Sequence, residues 1–452
     1  MTDQASDGPD DRENVVLVTI DSLRADHCGF FGYEDDTTPT LDELASEGLS
    51  FESAFSPGPA TPESMPVMFT GDWPVDRRSA DGDGGTAEAG SGAEAESALA
   101  ARRERIKAHM EASESLAERM SELGYRTAAF TPNPFTSRHF GFDSGFDHFE
   151  DFMGESRTTG GLYERVFQGF LEGDGASSFA RVLLNFWQGE EVFKPWETYY
   201  NDAISWAKDA GESDDPYFLW LFLMDAHNPY MAGDDYRSQS RWKSFHANYR
   251  FWRESHDTPF DPTVHDRLVT AYDDSIRYAD ACLARLRRDL DDATLVVTGD
   301  HGEAFGEHGT YGHEPYLYGE NVHVPLVVAG DEENAETGTV ERPVSLSALP
   351  DLVTSVATGD DPRGVTENWV VSETEQGGRT AIRGAEWSYL AERGERDRPA
   401  DAELYVGRED READAPDLRE VAEQLAERRG RHRTERQQVA DAAADLASGG
   451  DL

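Results

Sequence analysis

The chain has 452 residues, of which 38% are hydrophobic, and it carries 90 Asp and Glu against 41 Lys and Arg, for a formal net charge of −49. The apolar fraction suffices for a globular core at this length, so a wholly disordered acidic chain is excluded; we expect two or three domains, or one large α/β domain with an appendage. The acid excess repels phosphate backbones and anionic membrane surfaces, which argues against nucleic-acid or headgroup binding.

Apolar runs typical of buried strands recur along the chain, with helical patterns between them. The first, residues 14–20 (NVVLVTI), is a continuous β-branched run of the kind found in a strand buried on both faces of a parallel sheet. The other strand candidates are residues 125–131, 217–224, 295–298 and 324–328. Strands alternating with helices predict an α/β fold, with a mostly parallel central sheet sandwiched by helices.

Three helices are predicted from apolar spacing and end signals. Residues 38–48 begin with Thr-Pro and end at Gly, and residues 113–123 precede Gly124, a C-terminal cap candidate. In residues 268–290 apolar side chains recur at gaps of three and four, which indicates an amphipathic helix.

Changes of composition predict the domain organisation. Residues 77–101 and the end of the chain hold too little apolar surface to offset the entropy of ordering, so both are predicted to be solvated and without regular structure. A strand-like piece at 387–391 and a helix near 418–427 indicate a small C-terminal α+β subdomain. The predicted parts are an acidic tail (residues 1–13), a catalytic domain (residues 14–360) with an insertion (residues 77–101), the subdomain (residues 361–428) and a second acidic tail (residues 429–452).

The charge distribution indicates a surface adapted to high salt. Acidic residues occur throughout, and the lysines are Lys107, Lys194, Lys208 and Lys243, with Arg supplying the other cations. At 1 M salt the Debye length falls to roughly 3 Å, which screens repulsion among so many carboxylates. We therefore expect a halophilic, haloarchaeal protein.

Cysteine usage and hydropathy predict the compartment. Cys28 and Cys282 are too few for a disulfide framework and lack a metal-type spacing. The longest apolar run, residues 217–224, is far shorter than the roughly 20 residues of a membrane span. Residues 1–13 show no signal-peptide pattern. We expect a cytoplasmic location and no integral membrane segment.

Polar residues that follow two predicted strands are the first candidates for chemistry. Asp21 follows the strand at 14–20, and Asp300 and His301 follow the strand at 295–298. In open α/β sheets ligands bind beyond the carboxyl ends of the strands, and carboxylate with imidazole is a ligand set for a divalent cation. The competing interpretation is that Asp21 caps a helix and that Asp300 and His301 form an ordinary polar turn.

The sequence resembles the sulfatase branch of the alkaline phosphatase superfamily over most of residues 14–328, and more weakly beyond. The segments that carry the resemblance, in the family's order, are VTIDSLRADHCGFFGY from Val18, TTPTLDELASEGLSF from Thr37, LGYRTAAFTPNPF from Leu123, GFDHFEDF from Gly145, MDAHNPY from Met224, TGDHGEAFGEHGTYGHE from Thr298 and VPLVVAG from Val324. The resemblance implies an alkaline phosphatase-like fold, with metal ligands at Asp21, Asp300 and His301. It also implies that His227 and His313 contact the ester oxygens or the leaving group.

The nucleophile region departs from the family pattern. Sulfatases place Cys or Ser, later oxidised to formylglycine, in Cys/Ser-x-Pro-x-Arg before a Thr-Gly; here the matching residue is Thr61, with Glu63 and Met65 at the Pro and Arg positions. Ser22 stands where many sulfatases have another metal-binding Asp. Thr cannot become formylglycine, so none is expected. Thr nucleophiles do occur in phosphodiesterases and phosphoglycerol transferases of the superfamily, which implies Thr61 as nucleophile and metal ligand.

Several of these residues have a second interpretation. Thr61 can be a plain helix N-cap, in which case Ser64 is the alternative nucleophile. His227 can be an ordinary turn histidine, and His308 is the neighbour over which family position favours His313. Asp26 and His27 can either support the site through contacts with its residues or have surface or capping roles. Arg24 can either contact an anionic substrate or be solvated.

The function predicted from these residues is metal-dependent hydrolysis of a sulfate or phosphate ester, through a Thr61 covalent intermediate and one divalent cation (Ca, Mn, Mg or Zn). The alternatives are transfer of a phosphoalcohol or sulfo group to a glycan or lipid-linked acceptor, and a non-catalytic metal- or anion-binding protein of the same fold. The expected substrate is a small-molecule or glycan ester. Aromatic side chains that can stack on it, or simply belong to the core, are Trp187, Trp196, Trp242 and Trp252. The oligomeric state is left open.

Overall fold

A computed structural model gives the fold of most of the chain. It describes residues 12–74, 92–153, 194–213, 215–253, 259–313, 315–330, 337–394, 399–407, 411–412 and 414–448. The strands are β1 (Asn14–Ile20), β2 (Leu49–Phe51), β3 (Ala54–Phe55), β4 (Arg126–Phe130), β5 (His148–Glu150), β6 (Tyr217–Leu223), β7 (Ala293–Gly299), β8 (Ala304–Phe305), β9 (Tyr311–Gly312), β10 (Leu326–Ala329), β11 (Gly338–Val340), β12 (Val344–Ser345), β13 (Val370–Glu373), β14 (Arg379–Gly384), β15 (Trp387–Arg393), β16 (Pro399–Val406) and β17 (Arg411–Glu412).

Helices lie between these strands. They are α1 (Pro39–Glu47), α2 (Thr61–Thr70), α3 (Gly92–Ala112), α4 (Leu116–Glu122), α5 (Glu197–Gly211), α6 (Arg241–Arg253), α7 (Pro262–Asp289), α8 (Gly319–Val322), α9 (Leu349–Thr358) and α10 (Pro416–Ser448). In the part of the chain that the structure describes, no helix is long and apolar enough to cross a membrane.

Eight strands form the main sheet, in the order β11-β2-β10-β7-β1-β6-β4-β5. β1 runs parallel to β6 and β7, and β4 runs parallel to β5 and β6, which confirms the predicted mostly parallel sheet. β10 is antiparallel to β7. The register pairs Ile20 with Gly299 and with Leu223, so three strands end side by side. Residues that follow β1, β6 and β7 are thereby brought to one edge of the sheet.

Both faces of the sheet are covered. Val16, Val18 and Ile20 pack with α1, α5 and α7, whereas Val15 and Leu17 point to the opposite face and pack with α2, α4 and α9. This alternation explains why β1 is apolar at nearly every position. The result is the predicted three-layer α/β arrangement.

A small antiparallel sheet, β13 to β17, follows the main sheet, as the predicted C-terminal α+β subdomain requires. The helix that packs on it, α10, corrects the prediction of an unstructured tail from residue 429. Ala422 and Ala426 join the core of the small sheet, and Arg429 and Arg433 pair with Glu373 at 2.8 and 3.1 Å. These contacts fix a segment whose composition alone indicated solvation. The boundary near residue 360 stays a prediction.

The predicted insertion at 77–101 also needs correction. Residues 77–91 lie outside the described part of the chain, but residues 92–101 belong to helix α3. The Ala, Glu and Arg content of α3 favours a helix, and Ile106 and Met110 near its end are buried in the core beneath α2 and α4. Tertiary packing therefore orders a segment that was predicted to be solvated.

His109 of α3 gives a pH-dependent prediction. Its Nε2 lies 3.0 Å from Thr70 Oγ1, and burial lowers its pKa from 6.5 to about 4. Between pH 6.5 and pH 4 the His109 side chain of the unfolded chain binds a proton, whereas that of the folded protein does not. The free energy of unfolding therefore decreases by about 3 kcal/mol as the pH falls from 7 to 4. We expect H109Q to flatten the pH dependence of the unfolding free energy in this window, whereas the exposed-site control H139Q should not; equal slopes in all three proteins would contradict this.

Candidate active site

Two carboxylates meet where β1 and β7 end. Asp21 and Asp300 are fully buried, and the Ser22 N–H donates to Asp300 Oδ1 at 3.1 Å. Ser22 has a φ of 59°, in the left-handed region that few non-glycine residues adopt. Such strain is typical of functional sites, where surrounding contacts hold the backbone; here Tyr272 donates to the Ser22 carbonyl at 2.6 Å.

His301 completes this cluster. Its Nδ1 lies 2.8 Å from the Gly302 carbonyl oxygen, so Nδ1–H donates and Nε2 is left with a lone pair. Nε2 is 3.5 Å from Asp21 Oδ1 and 3.6 Å from Asp300 Oδ2. One donor atom from each of the three side chains lies within 4.8 Å of the others. This arrangement matches a metal site built from two oxygens and one imidazole nitrogen.

The electrostatics of the two carboxylates also fit a cation. Burial, followed by the neighbouring Asp300 carboxylate, raises the pKa of Asp21 well above its usual range. Burial raises the pKa of Asp300 to about 6. Two adjacent buried carboxylates resist joint ionisation unless a positive charge lies between them, and a divalent cation would supply that charge.

Thr61 places its hydroxyl at the same cluster. It is the first residue of α2 and is 4% exposed; Oγ1 donates to Asp300 Oδ2 at 2.8 Å and lies 3.3 Å from His301 Nε2. The N-cap position belongs to Ala60, so the interpretation of Thr61 as a plain cap is wrong. Ser64 Oγ is buried and has no hydrogen-bond partner among the described residues, which favours Thr61 over Ser64 as the nucleophile.

Glu63 and Met65 stand at the positions where the family has Pro and Arg, and both make other contacts here. Glu63 Oε1 accepts a hydrogen bond from the Glu375 N–H at 2.8 Å, which joins α2 to the C-terminal subdomain. Met65 is fully buried in the core beneath the sheet. Among the described residues, no arginine hydrogen-bonds to Thr61.

Asn133 belongs to the site and was missed by the sequence interpretation. Its Nδ2 donates to Asp21 Oδ2 at 2.9 Å and lies 3.4 Å from Thr61 Oγ1, while its Oδ1 accepts from the Phe135 N–H at 2.9 Å. It follows β4 at the same sheet edge, within TPNPF. A polar side chain after a neighbouring parallel strand was the signal that could have found it.

Asn133 orients a carboxylate that faces the predicted cation, so its loss should weaken the site without dismantling it. We expect N133A to lower kcat/KM for ester hydrolysis by about 10- to 100-fold, the usual effect of removing a partner of a metal ligand. The measurement is steady-state kinetics at saturating metal, with thermal unfolding to confirm that the variant is folded. Wild-type kinetics in a folded N133A protein would show that Asn133 has no such role.

Two further histidines lie beside the cluster. The His313 ring centroid is 4.8 Å from that of His301 and 5.6 Å from that of His227. His313 Nδ1 lies 3.2 Å from Glu303 Oε1, and Glu303 is fully buried. Burial raises the pKa of Glu303, but the imidazoles, His313 foremost, outweigh it and lower that pKa below its usual value.

His227 differs from His313 in its surroundings. Burial, followed by the charge of His313, lowers the pKa of His227 to about 4. Its Nδ1 lies 2.5 Å from the Asn228 carbonyl oxygen. His227 is therefore neutral at pH 7, with Nδ1–H donated to the backbone and Nε2 left as an acceptor.

Two other candidate residues, His308 and Arg24, are bonded to acidic side chains. His308 bonds Glu320 at 2.7 Å and stacks on Tyr318. Arg24 is buried and pairs with Asp26 and Glu307, so the alternative that it is solvated is wrong, while substrate contact stays a prediction.

His27 and the tryptophans complete the candidates. His27 bonds Asp273 at 2.8 Å. Trp196 is fully buried in the core, Trp242 is 59% exposed, and Trp252 is partly buried. Trp187 lies outside the described residues.

Comparisons with known proteins identify the family of the chain. A family model described as Sulfatase matches residues 13–358. The multifunctional alkaline phosphatase superfamily protein PehA of Trinickia caryophylli is 22% identical, over 78% of this chain and 75% of that protein. An arylsulfatase of Clostridium perfringens is 38% identical over 60 residues, a local match that spans 12% of its length.

Solved structures share the fold at low identity. The phosphonate monoester hydrolase of Agrobacterium radiobacter has a TM-score of 0.56 and 16% identity, with 87% of this chain and 89% of that chain covered. A protein solved with its substrate D-glucosamine-2-N,6-O-disulfate has a TM-score of 0.60 and 12% identity, with 94% and 98% covered. The family model, which matches most of the chain, and the fold together show that this protein belongs to the sulfatase family and is built as a sulfatase-like ester hydrolase.

Proposed function

We propose that this protein is a metal-dependent hydrolase of sulfate or phosphate esters, with Thr61 as the nucleophile. The observation that carries the proposal is the position of Thr61 Oγ1, 2.8 Å from Asp300 and 3.3 Å from His301, within the buried set that includes Asp21. Further support comes from relatives that include sulfatases and a phosphonate monoester hydrolase.

Asp21, Asp300, His301 and Thr61 are the residues that would hold one divalent cation, whether Ca, Mn, Mg or Zn. When bound, such a cation neutralises charge on the transferred group and favours the ionised form of the nucleophile. No formylglycine is expected, because Thr cannot become formylglycine and the Thr61 hydroxyl itself serves as the nucleophile.

The side chains divide the proton transfers between them. Thr61 Oγ1 attacks sulfur or phosphorus, the ester oxygen leaves, and the Thr61 proton passes to Asp300, its hydrogen-bond acceptor. We assign His313, held by the Glu303 carboxylate, as the donor of a proton to the leaving oxygen. Water then cleaves the Thr61 ester: neutral His227 accepts a proton from the water, and Asp300 returns its proton to Thr61. His227 passes its proton to His313, whose ring centroid is 5.6 Å from its own, so that every group regains its starting state.

Turnover of aryl esters tests the proposal. Metal-stripped protein, refilled with Ca, Mn, Mg or Zn, is offered an aryl sulfate, a phosphate monoester and a phosphate diester in high salt. Metal-dependent release of the aryl alcohol is expected for one of these classes. An added acceptor alcohol separates hydrolysis from transfer by product analysis. A folded, metal-loaded protein that cleaves none of the esters, with or without acceptor, contradicts the proposal and favours a binding protein.

We also propose a cytoplasmic, high-salt setting. The support is the net charge of −49 and the presence of Cys28 and Cys282 as buried free thiols. Screening of carboxylate repulsion should raise the unfolding temperature by several degrees between 0.1 and about 2 M KCl. Thermal unfolding across a KCl series measures this; a temperature that is flat or falls with salt would count against the high-salt setting.

A further inference from the structure

Residues 56–63, which we name the nucleophile segment, contain Thr61 and connect β3 to the first turn of α2. The backbone is extended at Ala60, with a φ of −152° and a ψ of 154°, and the helix begins at the next residue. The proposed chemistry requires Thr61 Oγ1 to lie at the buried carboxylates. The direction of the Thr61 side chain therefore depends on how this segment is held.

The small C-terminal sheet holds the nucleophile segment through three hydrogen bonds. Each joins a residue of β13, or of the turn that follows it, to a group of the segment: Ser372 Oγ to the Ser56 carbonyl at 2.6 Å, the Glu373 N–H to the Pro57 carbonyl at 2.8 Å, and the Glu375 N–H to Glu63 Oε1 at 2.8 Å. Residues 56–60 form neither helix nor strand. Bonds to a separate sheet therefore contribute to their order.

Ser56 extends this connection to the carboxylate cluster. Its side chain is fully buried, and its hydroxyl can donate to the Asp300 carbonyl or to the Gly58 carbonyl, each 2.6 Å away. Asp300 is also the residue whose carboxylate accepts from Thr61 Oγ1. One buried hydroxyl therefore joins the loop that carries the nucleophile to the residue that accepts its hydrogen bond.

Glu63 is the residue at which the segment, helix α2 and the small sheet meet. A Cβ atom added at Gly58 would lie 2.7 Å from Glu63 Cβ, so the loop packs closely against this side chain. The Glu63 carboxylate accepts from the Glu375 N–H, and the Glu63 N–H donates to the Ala60 carbonyl at 2.9 Å in the first turn of α2. A shift of Glu63 would therefore move the backbone around Thr61, which lies two residues before it.

We propose that Glu63 is a positioning residue, which uses its hydrogen bond from the Glu375 N–H to hold Thr61 Oγ1 in place for attack. The inference rests on the proposed function, in which Thr61 is the nucleophile. Glu63 stands where the family has Pro, which offers no side-chain acceptor, so the bond depends on a residue that departs from the family pattern. A displacement of about 1 Å at a reacting atom can cost about 100-fold in rate. Loss of the bond should therefore slow the chemical step and leave the binding of substrate and metal intact.

Substitutions that keep or remove the acceptor test the proposal, in metal-loaded full-length protein. E63Q keeps a carbonyl oxygen that can accept from the Glu375 N–H, whereas E63M has a side chain of similar length with no oxygen. E63A, which also lacks the acceptor and has high helix propensity, replaces E63M if that variant does not fold. The matched control is E118M, because Glu118 is likewise the third residue of its helix, α4, and its Oε2 accepts from the Ser115 N–H at 2.8 Å.

Steady-state kinetics with the aryl ester that the wild-type protein hydrolyses best, and calorimetric titration of the metal, give the readouts. We expect E63M to lower kcat by about 10- to 30-fold, with KM and the metal Kd within about twofold of the wild type, and E63Q to keep kcat within about threefold. E118M should lower the unfolding temperature and leave kcat within about twofold. An unchanged kcat in E63M, equal losses in E63M and E63Q, or a loss in E118M as large as that in E63M overturns the proposal.

Turnover by the wild-type and T61A proteins separates this inference from the proposed function. Hydrolysis that requires Thr61 but proceeds at the wild-type rate in E63M overturns this inference alone. A wild-type protein that hydrolyses no ester with any metal, or hydrolysis that persists in T61A, overturns the proposed function and this inference with it.

Discussion

Replacing Thr61 with Ala is expected to lower ester hydrolysis by about 1000-fold or more, because the only hydroxyl hydrogen-bonded to the buried carboxylate Asp300 among the described residues is removed. T61S keeps the oxygen and should retain part of the activity. The readout is kcat for the best aryl ester, in protein whose metal content and unfolding temperature match those of the wild type.

S64A is the matched control for T61A. Ser64 is one turn further along the same helix and is also buried, but it has no hydrogen-bond partner among the described residues. Its replacement should leave kcat within about threefold of the wild type. Wild-type hydrolysis by folded, metal-loaded T61A would remove Thr61 from the mechanism, and loss in S64A alone would transfer its role to Ser64.

Removal of the metal is expected to have the second large effect. Without a cation, Asp21 and Asp300 face each other in a buried cluster, and burial with mutual repulsion raises the pKa of Asp21. Chelation should therefore abolish hydrolysis and lower stability, by about 4 kcal/mol relative to protein in metal at 1000 times the Kd. Activity after dialysis against chelator, and unfolding temperature against metal concentration, measure the two effects.

Variants show whether the metal acts through these ligands. D21N should lose most of the metal-dependent rise in unfolding temperature. D280N is the matched control, because Asp280 is also a buried carboxylate but accepts hydrogen bonds from the Thr40 and Leu41 N–H groups at the start of α1. It should lower stability and keep the response to metal. Full activity in chelator, or an unchanged metal response in D21N, would contradict the assignment.

Much of the fold could be predicted from local pattern. The run at 14–20 became β1 with the predicted bounds, because continuous β-branched residues suit a strand that is buried on both faces. The helix near 418–427 was predicted, but its continuation as α10 beyond residue 428, and helix α3, were missed because their order depends on contacts distant in sequence. Ile106 packs in the main core, and Arg429 pairs with Glu373 of the small sheet. Neither contact leaves a clear periodicity in such Ala- and Glu-rich segments.

The site was predictable where strand ends converge. Asp21, Asp300 and His301 follow adjacent parallel strands, so topology alone brings them together. The environment of a polar residue was not predictable in the same way. Solvation was one interpretation of Arg24, but it is buried and pairs with Asp26 and Glu307.

Trapping of the covalent intermediate tests the central claim most directly. Metal-loaded protein is mixed with an aryl ester that has a good leaving group, quenched in acid and digested, and its peptides are mapped by fragmentation mass spectrometry. An H227A protein, whose hydrolysis of the intermediate should be slowed, is run in parallel to raise its yield. The account predicts one transferred sulfo or phospho group on Thr61 and none in the T61A protein. Turnover with the group on Ser64, or with no modified residue in either protein, would contradict Thr61 as the nucleophile.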